Sequence, residues 1–390
     1  MRQPVVMSAV RTAIGTSFKG SLADTPAEEL ATPILEESIR RAGIDSKLID
    51  DVIFGESNYG GGALARYAAT AAGLYHIPGV ALNRHCASGL TAVGFAAAQI
   101  TAGMSSAIVA GGVQSISFAP QMSWRKPGRG GDMQERWLPP THVGTHDAPA
   151  ADMSITVGWN TAQSMGISRQ QMDAWALRSH QRAVTAIDQG HFLEEILPLK
   201  VTSADGSTTE FSVDEHPRRD TTLERLASLK VLHPEIEGFS ITAGNSSGIN
   251  DAAAALTIAD RDVARAEGDV MATIRGWGSI GVPPRETGLA AFRVIPPVLE
   301  RAGVTVADVA RWEINEAFAS TPIAACQELG IDEDRVNTSG SGCSLGHPIA
   351  ASGARMLTTL IYELRRNGGG IGVAAMCAGG GQGGAVVIEV

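Results

Sequence analysis

The chain has 390 residues, 44% hydrophobic and 18% charged, with 45 glycines and a formal net charge of −10. This composition fits a soluble globular protein of two or three domain-sized units, rich in tight turns. The net charge argues against nucleic acid or an anionic membrane as partner, and an anionic small molecule would need a local basic patch.

The first fifteen residues hold a short apolar run without a signal-peptide layout. Residues 3–9 read as a strand and 27–42 as an amphipathic helix stopped by Gly43. A strand over 51–56 and a helix over 64–73 follow. This alternation predicts an α/β fold with largely parallel sheets. Residues 86–124 carry no charge. Their Ser, Thr, Gln, Gly and Pro120 favour a buried helix and strand over a bilayer span. Within this stretch, Cys86-Ala-Ser-Gly opens a helix through Ile100, and a strand over 107–110 ends in Gly111-Gly112. Much later, Ala350-Ala-Ser-Gly opens a helix through Arg365, and a strand over 371–375 ends near Gly379-Gly380-Gly381. The two blocks read as a duplicated half. Between them, 118–249 differs in texture. Segments 126–131 and 138–149 are loop-rich, and the clear helix is 168–189, with Ser168 as N-cap and Gly190 as stop. Residues 251–266 return to helical composition.

Four elements carry chemistry. Cys86 immediately precedes a helix of small residues, where the helix dipole is expected to lower its pKa toward thiolate. Gly346-His347-Pro348 also precedes a helix. Cys377 is followed by a glycine run whose backbone amides can form an oxyanion hole. Asn315-Glu316-Ala317-Phe318 follows a strand over 311–314. Two Cys, one His, one Asn and a glycine loop are the inventory that Claisen chemistry on a thioester requires. The four cysteines, Cys86, Cys326, Cys343 and Cys377, form no Cys-x-x-Cys pair, so reduced thiols and a cytoplasmic location are expected. His142, His146 and His180 lack tight ligand spacing; they read as solvated loop histidines, with no metal site.

Taken together, segments 83–90, 214–229, 242–251, 315–318, 346–355 and 377–383 resemble the thiolase family, nearly end to end and in the family's order. The resemblance implies a thiolase-like fold: two duplicated five-layered αβαβα halves with an inserted loop domain. The halves would be 1–117 plus 250–270 and 271–390, with 118–249 covering the site and binding coenzyme A. It implies reversible thiolytic cleavage of a 3-ketoacyl-CoA to acetyl-CoA and a shortened acyl-CoA, or the biosynthetic condensation of two acetyl-CoA. Cys86 would be acylated and His347 would activate it. Cys377 would move the α-carbon proton, and Asn315 would hold a water at the enolate oxygen. The amides of Cys86 and Gly379 would receive the tetrahedral oxyanion. Ser247, Arg218, Phe318 and Met153 would contact the acyl-CoA. Coenzyme A is expected as cosubstrate, with no permanently bound cofactor and no membrane or nucleic-acid partner, in a homodimer or homotetramer.

Departures from the family fall around the acyl pocket. Asp152-Met153 stands for the His-Met pair common in short-chain thiolases. The stretch 154–162 fits only with a one-residue shift, and Thr287-Gly-Leu-Ala-Ala291 replaces Met-Gly-x-Gly-Pro. A larger or unusual 3-ketoacyl group is therefore expected over acetoacetyl-CoA. Two other readings were weighed. Gly244-Asn-Ser-Ser-Gly248 matches the Gly-x-Ser-x-Gly of serine hydrolases, with Ser246 as nucleophile, yet no accompanying oxyanion motif is found. A catalytically inactive, lipid-binding relative would be expected to lack part of the set Cys86, Asn315, His347 and Cys377.

Overall fold

The computed structural model describes residues 2–57, 59, 63–128, 130–136 and 141–390. Part of each expected loop segment, at 129 and at 138–140, lies outside the described residues. In chain order the strands that matter are β1 (Pro4–Thr12), β2 (Asp51–Glu56), β3 (Gly79–Leu82), β4 (Ala107–Gln114), β5 (Asn250–Asp260), β6 (Ala272–Gly281), β7 (Val309–Ile314), β8 (Ile371–Ala378) and β9 (Gln382–Glu389). The helices are α1 (Ala27–Ala42), α2 (Leu64–Ala71), α3 (Ser88–Thr101), α4 (Arg169–Asp188), α5 (Ser320–Leu329) and α6 (Ser352–Arg366).

Local chemistry explains the helix ends. α1 carries Glu28 and Glu29 in its first turn and Arg40 and Arg41 in its last, complementing its dipole. It stops at Gly43, which takes a left-handed φ of 67°. α4 begins with a capping box, in which Ser168 and Gln171 bond reciprocally to each other's backbone.

The strands order as β7-β8-β9-β6-β1-β5-β4-β2-β3. Along this path β2 pairs in parallel with β3 and β4, and β7 with β8, and the other neighbours are antiparallel; the short strand Ile196–Leu197 also joins β1 in parallel. The expectation of largely parallel sheets is thus corrected to a mixed sheet. The path is symmetric about the β1–β6 boundary, since β2-β4-β5-β1 repeats the directions of β7-β8-β9-β6. Most strands are buried on both faces, and successive residues face opposite cores. Val5 and Met7 of β1 join the core beneath α1 and α2, whereas Val6 joins the core around α3 and α6. On the other side, Val373 and Ala375 of β8 face a third core that includes α5, and Ala374 and Met376 face the middle one. Outer helices, sheet, central helices, sheet and outer helices give five layers.

Two strand expectations need correction. Residues 250–260 form β5 and not a helix; only Arg261–Glu267 is helical. Alanine-rich sequence favours helix, but this run lies between β1 and β4, where small side chains suit close packing on both faces. A Cβ on Gly111 would fall 2.0 Å from Ala254 O. β4 likewise does not end at Gly111-Gly112 but runs on to Gln114. Gly112 is needed there because a Cβ would fall 2.0 Å from Ala350 O.

At the centre, α3 and α6 meet at their first turns. A Cβ on Gly89 would lie 2.7 Å from Ala354 N, and one on Gly353 would lie 2.4 Å from Leu90 N. The repeated Ala-Ser-Gly is thus the contact between the two helices.

Residues 118–249 lie mainly outside the main sheet. They include a hairpin of Met122–Arg125 with Met133–Arg136, a second of Leu199–Thr202 with Thr208–Phe211, α4, and a π-helix at Ser154–Trp159. The π-helix falls where the family pattern needs a one-residue shift. A wider turn is how a helix takes up one extra residue. Buried Arg11 of β1 holds this segment by bonding Glu195 and Asp214.

Candidate active site

Cys86 sits on the turn between β3 and α3. The residue before it, His85, has a left-handed φ of 46°. Among the four cysteines, Cys86 is half-buried and the others are buried. The backbone amides of Gly379 and of Cys86 itself point at its thiol and favour the anion, yet burial dominates and pushes the thiol up to about 11. The expected lowering by the helix dipole is therefore overturned. α3 starts only at Ser88, and desolvation of the sulfur outweighs the amides.

Cys377 lies near the end of β8, opposite Gly383 of β9. Burial, then the neighbouring Cys86, push its thiol up to about 12, with the Thr321 hydroxyl nearby acting in the opposite direction. Gly379 begins the turn joining β8 to β9, in which Gly380 and Gly381 have φ of 80° and 76°. Gln382 Nε2 donates to Gly379 O at 3.1 Å. Asn315 follows β7 and is held to β8 by its N–H bonding Ala375 O at 3.0 Å. It is fully buried, and its Oδ1 has no partner among the described residues.

His347 completes the set. Its N–H bonds Asn250 Oδ1 at 3.0 Å, and Asn315 Nδ2 lies 3.4 Å from its Nε2. Its Nδ1 lies 2.6 Å from Ser352 Oγ, which in turn donates to Pro348 O at 3.1 Å. With the serine proton directed to Pro348, Nδ1 carries the imidazole proton and Nε2 keeps a lone pair. Burial, then the charge of Arg355, lower its pKa to about 3. At neutral pH the site holds a thiol and a neutral imidazole. Cys86 and His347 precede α3 and α6 respectively, the helices that cross at Gly89 and Gly353.

Sequence reasoning missed Glu316. This fully buried carboxylate accepts from Trp175 Nε1, Ser179 Oγ, Asn337 Nδ2 and the Cys343 amide. It ties α4 to the loop that carries Asn315. A charged residue directly after the site asparagine, in an apolar stretch, was the available signal.

The remaining candidates divide between two places. Ser247 N–H bonds Ala317 O at 2.9 Å, and Ser246 bridges to Phe318, so 242–251 lies along the Asn315 loop. Ser246 Oγ donates to Thr242 O at 2.6 Å, so its proton is directed at a backbone carbonyl and not at a histidine. Met153 packs against the outer core that contains Phe318 and Cys377. Asp152 caps the π-helix through Ser154 and pairs with His233 at 2.8 Å. Arg218 lines a separate cavity of about 320 Å³ with His180, His216, Arg225, Gly244 and Cys343. His180 is not a solvated loop histidine: it lies on α4, is 5% exposed, and accepts the Arg218 N–H at 3.1 Å. Burial lowers both His180 and His216 to about 4, leaving Arg218 and Arg225 as cations on that wall. Among the described residues no group of three or more His, Cys, Asp or Glu is arranged to hold a metal, and no helix is long and apolar enough to cross a membrane.

The raised thiol makes a direct prediction. Alkylation of Cys86 by iodoacetamide in the free protein should rise about tenfold per pH unit from pH 7 to 9, because only thiolate reacts. A plateau below pH 8, read by peptide mass spectrometry, would show a preformed thiolate instead.

Comparison with known proteins follows the same lines. Residues 4–262 match the family described as thiolase, N-terminal domain, and 268–390 match thiolase, C-terminal domain. The chain is 40% identical to an acetyl-CoA acetyltransferase of Escherichia coli, over 100% of this chain and 99% of that one. It is 37% identical to a 3-ketoacyl-CoA thiolase of Bacillus subtilis, over 100% of both. A beta-ketoadipyl-CoA thiolase of Pseudomonas knackmussii is 39% identical, over 100% and 99%. The crystal structure of the Bacillus anthracis acetyl-CoA acetyltransferase superposes with a TM-score of 0.89 at 36% identity, covering 100% of this chain and 99% of that one.

Proposed function

The chain belongs to the thiolase family, and on that premise we propose that it is an acyl-CoA C-acyltransferase working through an acyl thioester on Cys86. The observation that carries the reading is the sulfur of Cys86 facing the amides of Cys86 and Gly379, with Cys377 beside it.

In the cleavage direction His347 Nε2 takes the Cys86 proton as the sulfur attacks the 3-keto carbon. With the thiol near 11 and the imidazole near 3, a resting ion pair is disfavoured, so proton transfer and attack run together. The oxyanion forms against the amides of Cys86 and Gly379. The C2–C3 bond breaks, and acetyl-CoA leaves as an enolate whose oxygen faces Asn315 and His347. Cys377 delivers its proton to C2. The Cys377 thiolate then takes the proton of the coenzyme A thiol as that sulfur attacks the acyl group, and His347 returns its proton to the departing Cys86 sulfur, which gives ping-pong kinetics. Condensation is the reverse. The pantetheine arm passes Ser247 and Phe318, and the nucleotide end reaches the Arg218 cavity. Residues 118–249 act as a loop domain between the halves 1–117 plus 250–270 and 271–390, in a cytoplasmic homodimer or homotetramer.

The preferred substrate in this reading is a 3-ketoacyl-CoA larger than acetoacetyl-CoA. Support comes from the π-helix at Ser154–Trp159, from Asp152 being engaged by His233, and from buried Thr287 standing where relatives carry Met. Intact-protein mass spectrometry after incubation with a chain-length series of acyl-CoA and 3-ketoacyl-CoA esters tests both levels. A retained acyl group on Cys86 is expected. Steady-state kcat/KM highest for acetoacetyl-CoA would overturn the chain-length reading while leaving the reaction type intact.

A further inference from the structure

The mechanism above gives His85, the residue directly before the nucleophile, no role. Its backbone is strained. A left-handed φ of 46° is unfavourable for an L-residue, and such outliers persist only where their surroundings over-determine them. Here they do. The His85 N–H bonds Asn83 Oδ1 at 2.8 Å, and its carbonyl accepts from Ser88 Oγ at 2.6 Å, from the Ser88 amide at 3.1 Å and from Ser57 Oγ at 3.2 Å. Glycine would relieve the strain, so a ring at this position needs its own explanation.

That ring lies on the oxyanion turn. A Cβ built on Gly379 would sit 3.4 Å from His85 Cγ and 3.5 Å from Cδ2, and 3.4 Å from Thr141 Cγ2. A Cβ on Gly380 would sit 2.9 Å from Thr141 O. His85, from the nucleophile turn, and Thr141, from the 118–249 segment, therefore flank Gly379 with about a methyl group's width between them and the backbone, which bounds how far the turn can move. The His85 ring nitrogens make no hydrogen bond to the described residues, so what the ring supplies is its face.

We infer that His85 is a positioning residue: its ring clamps the Gly379 peptide so that the amide points at the acyl oxygen on Cys86. The inference rests on the acyl-enzyme reading. An amide displaced by a fraction of an ångström loses much of its value for an oxyanion. Glycine at 379 has no side chain to brace it, so the neighbouring ring does so.

The test compares His85→Ala, His85→Phe and the wild-type protein. The measurements are the rate of acyl-Cys86 formation from a 3-ketoacyl-CoA, the KM for coenzyme A, and iodoacetamide alkylation, which builds no oxyanion. His85→Ala should slow acylation on the order of tenfold or more, with KM for coenzyme A and alkylation within about threefold of wild type. His85→Phe, which keeps a flat ring, should restore most of the rate. Melting curves should stay close together, separating this effect from misfolding. Acylation at the wild-type rate in His85→Ala overturns the clamp. So does His85→Phe being as slow as His85→Ala, or alkylation falling in parallel with acylation. A wild-type protein that forms no acyl-Cys86 overturns the functional reading itself, and alkylation of the same cysteine distinguishes that failure.

Discussion

Cys86→Ala is expected to abolish the acyl adduct and lower turnover by roughly four orders of magnitude or more. The argument is geometric. The sulfur faces the amides of Cys86 and Gly379, and the hydroxyl of Ser246, the nearest competitor in motif terms, is committed to Thr242 O. Cys377→Ala should behave differently. It should still take an acyl group from a simple acyl-CoA, because acyl transfer to Cys86 moves no α-carbon proton. It should fail to cleave 3-ketoacyl-CoA or to condense, because the proton at C2 then has no donor. Intact mass after incubation with acetyl-CoA, alongside thiolysis rates, separates the two variants. An adduct that survives Cys86→Ala, or one that disappears equally in Cys377→Ala, would sink the assignment of roles.

The second large effect is on stability. Arg11→Met should destabilise the protein by about 3–5 kcal/mol, the range for breaking a buried ion pair from one side. Arg11 is fully buried, with Nε on Glu195 Oε1 at 2.6 Å and its two Nη atoms on Asp214 at 2.7 and 2.9 Å. Its guanidinium also lies 4.8 Å from the centre of the Phe192 ring. Both carboxylates are buried too, so losing the cation leaves two uncompensated charges. Their other bonds, Thr359 to Glu195 and the Ile14 amide to Asp214, do not replace it. Because Glu195 and Asp214 belong to the 118–249 segment, this segment should loosen first. Denaturant melts and limited proteolysis near 190–220 measure the effect. Restoring neutrality with Glu195→Gln and Asp214→Asn in the same chain should recover part of the loss. Unchanged midpoints in Arg11→Met would refute the anchor.

Local signals were legible wherever local physics decides. The Gly43 stop of α1 and the Ser168 cap of α4 depend on a few adjacent residues, and both stand as expected. The proposed reactive groups were also legible as candidates, because their residue types and flanking glycines are visible in one dimension. Neighbours decided the rest. Residues 250–260 read as helix from their alanines, yet they pair with β4, whose Gly111 leaves room for the Ala254 carbonyl. The state of Cys86 also depended on the burial of its thiol, which no spacing in the chain encodes. His180 looked like one of three loop histidines until α4 turned it inward against Arg218. Glu316 was visible as a letter in a motif, but its four donors come from three distant segments.

The crossing of α3 and α6 has a last consequence. The internal duplication aligns Cys86-Ala-Ser-Gly with Ala350-Ala-Ser-Gly, so the counterpart of the reactive sulfur is the methyl group of Ala350. The pseudo-symmetric partner position is chemically silent, and its carbonyl faces Gly112 instead. On the roles proposed above, the molecule is a fused pair in which one copy keeps the nucleophile and the other brings the imidazole and the second thiol. A chain severed between the two copies would then need the glycine crossing to re-form before any chemistry returned.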